Sequence, residues 1–240
     1  MQARDRLIVA LDVPDAGSAR ALAGRLSGHV GMLKVGSQLF TAAGPGLVRE
    51  LVARGERVFL DLKFHDIPST VAGAVAAATR LGVWMLNVHA SGGAEMMRAA
   101  HAAAVEAADH RKASPPLVIA VTVLTSLDEA ALGALGVRGP LADHVEALAS
   151  LAQQAGLDGV VASPRETARL RARCGPAFAI VTPGIRGVEP GQAKPDDQAR
   201  TLSAAGAIAA GATYIVVGRP IIGAPDPRSA AARIVEEAGG

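Results

Sequence analysis

Residues 57–70 read RVFLDLKFHDIPST. Val58, Phe59 and Leu60 open a strand, polar residues follow at Asp61, Lys63 and Asp66, and Pro68 ends the run. Side chains alternate across a strand, so Phe59, Asp61 and Lys63 share one face while Val58, Leu60 and Leu62 share the other. A carboxylate and an ammonium two residues apart are then neighbours on one surface. If that surface lines an enclosed site, an unpaired ion would cost roughly several kcal/mol, so the two charges must be paired.

The same form recurs along the chain. Short apolar runs at residues 7–12, 32–36, 58–63, 84–89, 117–124, 159–163, 178–182 and 214–218 are each followed by a turn and an Ala-rich helical pattern. Strands alternating with helices at spacings of roughly 20–35 residues imply βαβ units and a parallel sheet. Gly55, Gly82, Gly156 and Gly211 precede the next strand and suit the left-handed position after a helix. Eight units in 240 residues predict an α/β fold, a single (β/α)8 TIM barrel spanning residues 1–240. A doubly wound dinucleotide fold would need a G-x-G-x-x-G turn after the first strand, where this chain has Asp12-Val13-Pro14-Asp15.

A barrel of this kind places its active site at the C-terminal ends of the strands. Polar residues collect there: Asp12, Lys34, Asp61 with Lys63, Asn87 with His89, Thr122 with Thr125, Ser163, Arg186 and Gly218-Arg219. Alternation puts Ile8, Ala10 and Asp12 on one face, and Met32, Lys34 and Gly36 likewise. Leu7, Val9, Leu11, Leu33 and Val35 are left for the helices to cover. Asp12, Lys34, Asp61 and Lys63 can therefore converge in one mouth.

Composition narrows the function. The formal charge of +2 is small and the basic residues are dispersed, which predicts no nucleic-acid partner and no anionic membrane surface. The single cysteine, Cys174, permits no intrachain disulfide and fits a reducing compartment. The N-terminal apolar run ends at Asp12, too short for a membrane span and without a signal-peptide pattern. A cytoplasmic location is the expectation.

The four charges read either as a structural ion-pair network plugging the barrel or as a catalytic set in which Lys63 donates a proton. Asp66 reads by itself as an acidic residue ahead of a helix. Gly184-Ile185-Arg186-Gly187 and Val217-Gly218-Arg219-Pro220 lie where barrels of this class hold a phosphate, the glycines admitting backbone N–H groups and the arginines supplying forked donors. The bends at Gly187, Pro190, Gly191 and Pro195 fit a lid over residues 184–198 that would bring Gln198 to a ligand, or a plain surface excursion. His65, His89, His101, His110 and His144 have no metal-ligand spacing, Met96 and Met97 suit helix packing, and no nucleophile elbow is present.

Asp61-x-Lys63-x-x-Asp66, in the context FLDLKFHDIPSTV, resembles the signature of the orotidine 5′-monophosphate decarboxylase family. LIVALDV, LKVGSQLF, VTVLTS, VTPGIR, DDQARTLSAA and YIVVGRPI follow in that family's order over almost the whole chain. The resemblance implies conversion of orotidine 5′-monophosphate to UMP and CO2 in pyrimidine biosynthesis, with no cofactor and no metal. It implies that Lys63 protonates C6 of the pyrimidine, that Asp61 lies against the departing carboxylate, and that Lys34 and Asp12 hold the ribose hydroxyls. Asp66 and Thr70 would come from the partner subunit of a homodimer with shared active sites. Thr125 would contact the pyrimidine, and Arg186, Gln198, Gly218 and Arg219 the phosphate. A related group, Mg-dependent sugar-phosphate decarboxylases and aldolases of the same barrel, has a similar motif but a carboxylate where this chain has Lys34. A barrel that binds a phosphate ligand without turnover is the third reading.

Overall fold

Each apolar run forms a strand: β1 (Leu7–Ala10), β2 (Met32–Gly36), β3 (Val58–Phe64), β4 (Met85–His89), β5 (Leu117–Val121), β6 (Gly159–Val161), β7 (Ala179–Thr182) and β8 (Tyr214–Val217). All pairings are parallel, and β8 returns to β1 to close the barrel in sequence order. The structure, a computed structural model, describes residues 1–185 and 202–239. Within these, α1 (Ala3–Arg6) precedes β1, and α2 (Ala16–Leu26), α3 (Ser37–Ala53), α4 (Pro68–Arg80) and α5 (Gly93–Asp109) cover the first half. The second half carries α6 (Glu129–Ala134), α7 (Leu141–Gln154), α8 (Thr167–Cys174), α9 (Ala204–Ala209), α10 (Arg219–Ile222) and α11 (Pro227–Gly239). The single-barrel expectation is met.

The two faces separate as the alternation requires. Ile8, Ala10, Met32, Phe59, Met85, Ile119, Val181 and Val216 fill the barrel interior as one buried cluster. Leu7, Val9, Leu11, Leu33, Val35, Val58 and Leu60 belong to the outer cluster, packed under the helices with Met96 and Met97. Where the strands begin, Trp84 meets Tyr214 edge-on with ring centroids 5.7 Å apart, and the Arg57 guanidinium lies 5.8 Å from the Trp84 ring centre. Aromatic area thus fills that end of the barrel.

Gly55, Gly82, Gly156 and Gly211 all take positive φ, between 83° and 102°, at the helix ends where they were expected. The fifth strand is shorter than its apolar run. It stops at Val121, where the Thr122 N–H makes the last rung to the Val161 carbonyl at 3.3 Å and the Thr122 hydroxyl donates to the same carbonyl at 3.0 Å.

The third strand departs from regular pairing. Leu60 pairs with Leu86, but the next partners are Phe64 and Val88, four steps on β3 against two on β4. Two extra residues are therefore bulged into the edge that faces the mouth. Because the surplus is even, the alternation survives it: Leu62 and Phe64 still pack on the outer cluster, and Asp61 and Lys63 keep the inner side.

Candidate active site

Within the bulge, Lys63 adopts φ 54°, a left-handed conformation that side chains other than glycine rarely take. Its N–H, left without a strand partner, donates to Asn87 Oδ1 at 2.8 Å. Its ammonium turns back to Asp61 Oδ1 at 2.7 Å. The second oxygen of Asp61 faces Lys34 Nζ at 3.3 Å, and Lys34 Nζ continues to Asp12 Oδ1 at 3.2 Å. The strand ends of β1, β2 and β3 thus carry one row of alternating charge, Asp12, Lys34, Asp61, Lys63.

Burial grades this row. The side chains of Lys34 and Asp61 are 10% and 13% exposed, that of Lys63 33% and that of Asp12 55%. The two inner charges have each other and one further charged partner apiece, as charges taken out of water require. Lys63 reaches the opening, where a ligand can meet it. Room for the Lys34 ammonium comes from Gly36, whose place on the inner face carries no side chain.

Asn87, fully buried on β4, makes two bonds into this row: it accepts from the Lys63 N–H and donates from Nδ2 to Asp61 Oδ1 at 2.7 Å. The amide has only one orientation that satisfies both. The sequence marks Asn87 only as a polar residue near a strand end. The signal available was an amide inside the apolar run MLNVH, since a buried polar group needs partners. Beside it, His89 stands 5.4 Å from His65, ring centre to ring centre. Burial, then the neighbouring His65 and Lys63, push the His89 pKa below the usual histidine range, with Asp61 opposing.

The remaining expected residues fall as follows. Gly218 follows β8, with the position of its missing Cβ 3.7 Å from Ala10 Cβ and from Asp12 Oδ2, and exposed Arg219 begins α10. Thr125 is exposed beyond β5. Asp66 and Thr70 lie on an exposed segment, residues 65–70, with Ile67 64% exposed at its centre. The Asp66 carboxylate accepts from the Ile67 N–H at 2.6 Å and, among the described contacts of this chain, does not join the charged row. Arg186 and Gln198, and with them the expected lid, lie outside the described residues.

Across the mouth, a buried polar group ties β6 to β7. The Ser163 hydroxyl donates to Glu166, and Thr167 Oγ1 donates to Ser163 O at 3.0 Å and meets Thr182 Oγ1 at 3.2 Å. An open groove of about 740 Å³, lined by Ala21, Gly24, Arg25, His29 and Asp226 among others, shares no residue with the charged mouth. Among the described residues no group of three or more His, Cys, Asp or Glu is placed to hold a metal ion, and no helix is long and apolar enough to cross a membrane.

The family model described as "Orotidine 5'-phosphate decarboxylase / HUMPS family" matches residues 5–234. The chain belongs to this family. It is 54% identical over 238 residues to the orotidine 5′-phosphate decarboxylase of Moorella thermoacetica, covering 99% of this chain and 93% of that one. Identity to the orotidine 5′-phosphate decarboxylase of Alkalilimnicola ehrlichii is 56% over 232 residues, covering 97% of this chain and 95% of the relative. A crystal structure of orotidine 5′-phosphate decarboxylase from Lactobacillus acidophilus matches with a TM-score of 0.86 at 36% identity, over 98% of this chain and 99% of that one. Family membership accounts for the closed eight-stranded barrel.

Proposed function

We propose that this chain is an orotidine 5′-phosphate decarboxylase, converting orotidine 5′-monophosphate and a proton to UMP and CO2. The observation that carries the reading is the alternating row Asp12, Lys34, Asp61, Lys63, held at the strand ends of a barrel whose relatives bear that name.

In the proposed reaction the bond from C6 to the carboxylate breaks, CO2 leaves, and the electron pair remains on C6. That carbanion occupies an sp² orbital outside the ring π system, so delocalisation cannot relieve it. An ammonium already fixed nearby can stabilise it without reorganisation. Lys63 Nζ supplies this cation and then its proton to C6, and a proton from solvent restores the ammonium. Asp61 stands against the substrate carboxylate and fixes Lys63, while Lys34 and Asp12 take the ribose hydroxyls. Thr125 meets the pyrimidine, and Arg186, Gln198, Gly218 and Arg219 hold the phosphate, whose binding energy serves steps at C6. Asp66 and Thr70 act on the site of a partner subunit in a homodimer, a role favoured by the exposure of residues 65–70. A location in the cytoplasm fits a biosynthetic enzyme of this kind.

Lys34 separates this reading from a Mg-dependent sugar-phosphate lyase of the same barrel group. Its ammonium already sits between the Asp12 and Asp61 carboxylates, where a divalent ion would be repelled. The test is the loss of orotidylate absorbance with the purified chain, before and after chelator treatment. Turnover that survives the chelator is expected. Failure to consume orotidine 5′-monophosphate would overturn the reading, and turnover abolished by the chelator would favour the metal-dependent lyase.

A further inference from the structure

On the decarboxylase reading above, we propose that Asn87 is a positioning residue for the reaction, holding Lys63 and Asp61 in register through one side chain. Three observations carry this. The bulge between Leu60 and Phe64 takes the Lys63 N–H out of the ladder, and the only hydrogen bond it makes among the described contacts is to Asn87 Oδ1, 2.8 Å away. Lys63 stands at φ 54°, a conformation that persists only where the surroundings impose it. Asp61 Oδ1 receives Lys63 Nζ and Asn87 Nδ2, each at 2.7 Å, so the same amide fixes both the backbone of the proton donor and the carboxylate that orients its ammonium.

The chemistry of the position selects an amide. It must accept once and donate once, in a site with no exposure from which water could replace it. A leucine would leave the Lys63 N–H and an Asp61 lone pair unsatisfied. An ionised carboxylate would accept from the N–H but confront Asp61 with a like charge. A protonated carboxyl group would copy the amide, with one C=O to accept and one O–H to donate. Burial and the neighbouring Asp61 favour that neutral form, and the Lys63 ammonium on the same Asp61 oxygen opposes them.

The test uses the full chain, with orotidine 5′-monophosphate as substrate and UMP as binding probe. Asn87→Ala should lower kcat about 100-fold, the scale of a misplacement near 1 Å, with KM and UMP affinity within about threefold of the parent. Crystals of Asn87→Ala should show Lys63 out of the left-handed region. Asn87→Asp should recover as pH falls, its kcat relative to the parent at the same pH rising at least about tenfold from pH 8 to pH 5.5. Should Asn87→Ala fail to fold, that pH ratio decides alone. The proposal is overturned if Asn87→Ala keeps kcat within about threefold, if its loss is in KM and UMP binding instead, or if the Asn87→Asp ratio is flat with pH. Absence of turnover by the parent overturns the decarboxylase reading instead, and the conformation of Lys63 in Asn87→Ala crystals then still decides whether Asn87 holds that residue.

Discussion

Gly36 makes room for the ammonium of Lys34: a Cβ built at position 36 would stand 3.0 Å from Lys34 Nζ and 3.7 Å from Asp12 Oδ1. The backbone there is ordinary, with φ −91°, so an alanine brings no torsional strain. It displaces the tip of a flexible side chain, and the expense falls on the charged row rather than on folding. Gly36→Ala should reduce kcat/KM about tenfold while thermal stability changes little, as expected for a surplus methyl that only a side chain must avoid. Steady-state kinetics and a melting curve measured together check both halves.

Lys63→Ala removes the cation and the proton donor at once. Decarboxylation should fall by about 10⁴-fold or more, from the combined loss of electrostatic and acid catalysis. UMP binding, measured by calorimetry, should stay within about tenfold, because the phosphate and ribose contacts assigned above do not involve Lys63. A variant with turnover near that of the parent would remove Lys63 from its assigned role.

Sharing of sites between subunits can be read by mixing. Asp66→Asn and Lys63→Ala chains, each defective alone, should regain up to about a quarter of the parental activity when refolded together, since one mixed-dimer site in two carries neither change. Mixtures no more active than their components would place Asp66 in the site of its own chain.

His89 links stability to pH. Burial leads the causes that hold its pKa below the ordinary 6.5, with His65 and Lys63 adding to it. As pH falls through the unfolded value the unfolded chain takes up the proton first, so stability present above about pH 6.5 is lost on acidification until the folded pKa is passed. The melting temperature should therefore drop between pH 7.5 and pH 5, and His89→Gln should drop less over the same window. Parallel pH profiles for the two proteins would show that His89 does not contribute.

At the end of the barrel where strands begin, Arg171 gathers loose carbonyls. Its guanidinium donates to Gly211 O at 3.0 and 2.8 Å, to Gly175 O and Phe178 O at 2.5 and 2.8 Å, and to Thr213 Oγ1 at 2.9 Å. Arg171→Ala should cost about 3 kcal/mol of unfolding free energy in urea, because several partly buried acceptors lose a charged donor together. The kcat of the folded variant should match the parent.

The sequence carries much of this architecture because its local signals agree with one another. Strict alternation separates Ile8, Ala10 and Met32 from Leu7, Val9 and Leu33, and the structure puts these sets inside and outside the barrel. The same parity brings Asp12, Lys34, Asp61 and Lys63 together. The β3 bulge was not legible, because it is a property of pairing with β4 and a strand read alone has no register. The bonding role of Asn87, a polar residue already placed near a strand end, was not legible for that reason, since it lies 24 and 26 residues from the two groups that it joins. The Arg171 contacts span up to 42 residues and depend on where three separate chain segments meet after closure.

The row from Asp12 to Lys63, with Asn87 behind it, lies on or just beyond the four consecutive strands β1 to β4, and none of it comes from the remaining half of the ring. A genetic crossover in residues 90–116 would hand the whole row of charges to a hybrid intact, while exchanging the segments after β5 and β8 that carry Thr125, Gly218 and Arg219. Ligand recognition could thereby be reshuffled among homologous barrels without reassembling the reactive charges.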